Sequence, residues 1–180
     1  MDALILRLIK KGARNFVINS PWQVSLFEQP QKGKKMNVIA GPFCNISNPL
    51  FLSYLAERGV MGAVVSPELS GEDYLDLPSK SPIPLGIVIY GNWPVAVSRT
   101  KFDTLKTNTA FKSPMNEEFW IRKTGENYWV YPNWYLDLRH KRKDLQKSGY
   151  SFFVTMLEPV PKTIDMKKRK GMWNWDLQLL

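Results

Sequence analysis

The sequence predicts an α/β chain: a half, or partial, β/α barrel of the TIM type with a β-hairpin insertion. Three observations predict it. Four short, β-branched apolar runs recur in the first half, starting at Phe16, Asn37, Gly62 and Leu85, at spacings of 21, 25 and 23 residues. Helix signals fill the gaps between them. The chain has 180 residues, whereas a complete eight-unit barrel takes about 200 or more.

The runs are "FVIN", "NVIAG", "GAVVS" and "LGIVIY". Each is too short for a helix and apolar on both faces, which suits strands of a parallel sheet covered on both sides. Between the first two, Ser20 is an N-cap and Pro21 opens a helix over "PWQVSLFEQ". Asn48 and Pro49 repeat the device before "PLFLSYLAERG", with Leu52, Leu55 and Ala56 on one face, Glu57 and Arg58 on another, and Gly59 as the stop. Ser70 caps "GEDYLDL", whose Glu72 and Asp73 suit the first turn of a helix. A leucine-rich solenoid has units of similar length, but its Leu-x-x-Leu-x-Leu frame is missing here. From Arg99 to Leu138 the pattern is irregular, apart from two hairpin strands, "EEFWIRK" and "NYWVYP", joined across "TGEN" with Gly125 in the turn. "YLDLRHKRKDLQKSG" reads as a helix stopped by Gly149, and "YSFFVTML" as a fifth core strand. The expected organisation is four β/α units over 1–98, the insertion over 99–135, a closing helix and strand over 136–158, and a basic, aromatic tail over 159–180.

With 44% apolar and 23% charged residues the composition is globular. The single cysteine, Cys44, excludes an intrachain disulfide and any cysteine-rich metal site built by this chain alone. The N-terminal stretch "MDALILRLIKKGARNF" does not read as a signal peptide: Asp2 stands at its front, its basic residues follow the apolar ones, and it has no small-residue cleavage site. No apolar run approaches the roughly 20 residues of a membrane span. The expected address is cytoplasmic, with no membrane partner. The net charge of +9 fits a polyanionic partner such as RNA. No zinc motif, phosphate loop, dinucleotide fingerprint or Ser-His-Asp arrangement is visible.

In β/α sheets ligands sit beyond the carboxyl ends of the strands, and here all four ends are polar or turn-forming. Glu68 follows a buried strand and precedes a helix cap, where an acid serves as a general base or cation ligand; alternatively it caps the helix or pairs with an arginine. Asn45 is a candidate substrate contact, whereas Asn48 before Pro49 reads first as turn and cap. Tyr90, Asn92 and Arg99, with Trp93, form a candidate stacking and anion-binding wall, or else an aromatic plug over the barrel mouth. Cys44 has no base near it in sequence, and the only histidine, His140, lies in a basic stretch far along the chain, so Cys44 reads as a buried, inert thiol. "RHKRKDLQK" and "KKRKGMWNW" combine cations with aromatics, a pattern compatible with single-stranded nucleic acid; the first reads more simply as the solvated face of a helix, and the second makes Lys167, Lys168, Arg169 and Lys170 the candidate contacts.

Four segments in order, "GPFCNISNPLFLSYLAERG", "GAVVSPELSGED", "IVIYGNWPVAVSR" and "LDLRHKRKDLQKSGYSFFV", make the chain resemble the collagenase-like peptidase family designated U thirty-two. The resemblance spans most of the chain and implies the C-terminal half of a β/α barrel. It therefore implies a partner: an N-terminal half-barrel or a second copy of this chain. Members of that family are described as peptidases, or act in hydroxylation of RNA or of the ubiquinone ring, several with a four-cysteine iron–sulfur cluster. The loop that carries cysteines in the family reads "GNWPVAVSRTKF" here. No cofactor and no metal are expected on this chain, since such a cluster needs thiolates that another polypeptide would have to supply. Two functions stay open. One is an enzyme component acting on RNA or on peptides, with Glu68 as the candidate catalytic residue. The other is a non-catalytic binding or scaffold subunit without the family's iron–sulfur ligands.

Overall fold

The structure, a computed structural model, describes residues 2–27, 36–100 and 103–167. They form two compact units. The described part of the first lies within residues 2–88 and 140–154, and that of the second within 89–139 and 155–167.

The first unit is built on an open, curled parallel sheet, a half-barrel with helices packed alongside. Its strands are β1 (Asn15–Ile18), β2 (Asn37–Ala40), β3 (Gly62–Val64) and β4 (Leu85–Gly91), each parallel to the last. These are the four apolar runs. In β3 and in β4 from Leu85 to Ile89 the side chains are buried on both faces, the pattern of a covered parallel sheet; β1, at the end of the strand order, departs from it, with Val17 62% exposed. Strand β10 (Phe152–Met156), the expected fifth core strand, lies beside β4. Gly86 on β4 admits it: a Cβ there would collide with the Phe152 ring.

Four α-helices occur among the described residues: α1 (Asp2–Lys10), α2 (Pro49–Glu57), α3 (Gly71–Asp76) and α4 (Arg142–Ser148). Asn48 caps α2 by accepting the Phe51 N–H at 2.9 Å, and Ser70 caps α3 by accepting the Asp73 N–H at 3.2 Å. Leu52 and Leu55 are fully buried, each contributing about 1.5–3 kcal/mol of burial. Gly59 follows α2 with φ +76°, and Gly149 follows α4 with φ +116°, the left-handed conformation that ends helices.

Two expected helices differ. The stretch opened by Pro21 is a 3₁₀ segment over Pro21–Leu26. Gln23 turns back to accept the Ser20 and Asn19 N–H groups at 3.2 and 3.0 Å, and Val24 with its aromatic neighbours has little helix preference. The expected helix from Tyr135 begins late. Its first part is a short strand, β9 (Leu136–Asp137), followed by a 3₁₀ turn (Arg139–Lys141), and only then comes α4. The end of β4 offers ladder partners, with Tyr90 opposite Asp137 and Gly91 opposite Leu136 in antiparallel register; strand pairing outweighs local helix preference.

The second unit carries a four-stranded antiparallel sheet in the order β5 (Ala96–Ser98), β8 (Asn127–Pro132), β7 (Glu118–Thr124), β6 (Ala110–Lys112). Strands β7 and β8 are the expected hairpin, turned at Gly125 with φ +59°. Trp120 and Tyr131 stack at 4.6 Å between centroids. Ile164 completes their buried cluster, with Trp129, Val160 and Met166 packed against it.

Candidate nucleic-acid interface

The candidate residues fall into both units. Asn45 and Glu68 belong to the first; Tyr90, Asn92, Arg99 and Lys167 belong to the second. Lys168, Arg169 and Lys170 lie outside the described residues.

In the first unit the sheet is followed by tight polar turns. Asn45 adopts a left-handed conformation, φ 52°, at the end of the 3₁₀ turn Pro42–Cys44. Asparagine tolerates this conformation better than most residues, and it lets buried Ile46 form a parallel bridge to Val65. Glu68 is exposed, and its N–H donates to Ser66 Oγ at 3.3 Å. The cap of α3 is Ser70, not Glu68. Ser66 is buried, and its carbonyl accepts the Tyr74 hydroxyl at 2.9 Å. Burial pushes the Tyr74 phenol well above its ordinary range, with Tyr150 and Glu68 adding to the shift. Cys44 is buried, donates to the Ile18 carbonyl at 3.3 Å, and is pushed up by burial to about 11. It is a poor nucleophile and a poor metal ligand, since both roles require the thiolate. The four-thiolate cluster of the resembled family therefore does not fit: the chain has a single thiol, and it is held protonated. Among the described residues no group of three or more His, Cys, Asp or Glu side chains is placed to hold a metal ion. His140 is exposed in the turn before α4.

The second unit contains a more developed arrangement at the carboxyl end of β4. Tyr90 stacks on Tyr135 at 5.3 Å between centroids with a 30° interplanar angle. The Arg139 guanidinium lies over the Tyr90 ring at 4.0 Å. Asp137 grips Arg139 through Nε at 2.9 Å and Nη2 at 2.6 Å, and also accepts the Arg139 backbone N–H at 3.1 Å. The pair raises the guanidinium above its already high range, chiefly through the Asp137 hydrogen bonds. The local fold explains the set. In "YLDLR" Leu136 and Leu138 are buried while Tyr135, Asp137 and Arg139 alternate with them, the period-two pattern of a half-buried strand. The Leu138 N–H bonds the Ile89 carbonyl at 2.8 Å and extends the pairing. Tyr135, Asp137 and Arg139 thus share one side with Tyr90.

Asn92 is fully buried; its Nδ2 donates to the Glu158 carbonyl at 3.3 Å, and its Oδ1 has no hydrogen-bond partner among the described residues. Arg99 is exposed in a turn where Ser98 Oγ donates to the Thr100 carbonyl and accepts its N–H. Lys167 is tied down. Its Nζ pairs with Glu118 at 2.8 Å, and its N–H donates to the Asn133 carbonyl at 2.6 Å. Sequence reasoning misses Tyr135 and Asp137 and places Arg139 on a solvated helix face; the alternation in "YLDLR" is the signal that groups them.

A second stack, Phe51–Tyr54 with Arg58 over Tyr54 at 3.7 Å, lies on and just beyond α2 in the first unit. Its members are three and four residues apart, the ordinary spacing of neighbours on a helix surface. Among the described residues no helix is long and apolar enough to cross a membrane.

Comparison with known proteins finds no family model, no curated protein and no solved structure that matches the chain.

Proposed function

We propose that this chain is the RNA-engaging component of an RNA-modifying assembly, binding single-stranded RNA. The observation that carries the reading is the stack Tyr135–Tyr90–Arg139 at the carboxyl end of β4, where β/α proteins place their ligands. Stacked aromatics combined with arginine are the surface that unpaired bases use. The net charge of +9 favours a polyanion over a peptide. The resemblance to a family with RNA-hydroxylating members points the same way. On this reading the chemistry belongs to a partner, an N-terminal half-barrel or a second copy, and Glu68, which follows β3, is the acid of this chain that assists it. Fluorescence anisotropy with a labelled single-stranded RNA tests the proposal: binding should weaken steeply with salt and survive a duplex competitor. Equal affinity for duplex RNA would reject it.

A further inference from the structure

We infer that the outward face of the Arg139 guanidinium seats one unstacked base of the RNA, and that Asp137 is the positioning residue that holds this face in place. The inference rests on the RNA reading above and names the group of the RNA that the stack takes.

One face of the guanidinium is covered by the Tyr90 ring at 4.0 Å. The opposite face points away from that ring, on a side chain that is 59% exposed. Phosphates and carboxylates bind arginine through the N–H donors in the guanidinium plane, most firmly in a bidentate fork. Asp137 occupies one of the two in-plane edges, through Nε and Nη2. The other edge, at Nη1, suits a phosphate of the strand, and the flat face suits a π-system, which stacks there. Tyr135 stacks on Tyr90 as well and enlarges the aromatic surface. Charge selects the source of the flat ring: a nucleobase arrives on a phosphate backbone, which a chain of net charge +9 attracts. A purine covers more of the face than a pyrimidine and is the preferred base.

The test uses the full chain with two labelled probes of about 12 nucleotides, within the range of single-strand site sizes. One is oligoadenylate; the other is an abasic strand with the same phosphates. Wild type should bind oligoadenylate about tenfold more tightly than the abasic strand, the size expected from stacking one base. Arg139→Lys keeps the charge and loses the plane. It should close that gap and leave the salt slope unchanged. Asp137→Ala should narrow the gap, and Asp137→Glu, which restores a carboxylate, should recover part of it. An undiminished gap in Arg139→Lys overturns the base seat while the RNA reading stands. Failure of wild type to bind oligoadenylate at all overturns both.

Discussion

The Phe152 ring of β10 lies where a side chain on Gly86 of β4 would have to go. The two strands can neighbour each other because this position on β4 has no Cβ. Gly86→Ala should destabilise the protein by about 1–3 kcal/mol, the usual cost of overpacking a core. Adding Phe152→Leu should recover part of that loss, because the two residues share one contact. Urea unfolding of the single and double variants measures both. Additive losses would contradict the shared contact.

Cys44 should be nearly inert in the native protein. Its thiol is pushed up to about 11 by burial, so at pH 8 little thiolate exists to react. Labelling with a disulfide reagent should be slow under native conditions and fast in denaturant. Fast native labelling would place the thiol in a different environment.

The contacts of Lys167 with Glu118 and Asn133 should loosen in acid. Glu118 is held below the ordinary carboxylate range, first by its hydrogen bond from Lys167, with Lys112 and Asn133 contributing. A depressed folded value means the contribution is complete above the unfolded value of about 4.3 and is lost as pH falls through the lower folded value. The amide resonance of Lys167, whose N–H binds the Asn133 carbonyl, should therefore shift in that acidic window in the wild type. It should not do so in Glu118→Gln. A transition of the same size in the variant would assign it to another group.

Asn48→Ala should cost about 1 kcal/mol, the typical value of an N-cap, since the side chain satisfies the Phe51 N–H at 2.9 Å. Asn48→Asp should be close to neutral. Thermal unfolding distinguishes a cap from a ligand contact, because a ligand contact alone would leave stability unchanged.

The features legible in the sequence are those specified locally. Strands β1 to β4 announced themselves through β-branched runs apolar on both faces, and α2 and α3 through Asn48-Pro49 and Ser70, whose capping bonds reach only three residues. The hairpin β7–β8 was visible at Gly125. What was not legible depended on partners distant in sequence. The "YLDLR" stretch alternates like a strand, yet its two-residue strand exists only because Tyr90 and Gly91 stand opposite it. The lysine- and arginine-rich run that follows pulled the reading towards a helix. The same dependence hides the proposed RNA contact: Tyr90 is a candidate in the sequence, but its companions Tyr135 and Arg139 emerge only with that pairing. Asn45 looked like a ligand contact, and its left-handed backbone is a property no side-chain pattern displays. Lys167 is a candidate RNA contact in the sequence because a basic run follows it, and its pairing with Glu118, distant in sequence, is visible only in the structure.

The most direct measurement of the central claim is photocrosslinking of a single-stranded RNA carrying 4-thiouridine to the full chain, with the crosslinked peptides identified by mass spectrometry. Crosslinks should map to the peptides containing Tyr90 and Tyr135–Arg139, and the yield there should fall when Arg139 is replaced by lysine. Crosslinks confined to peptides outside those two segments, with binding intact, would contradict the placement of RNA on the β4–β9 stack.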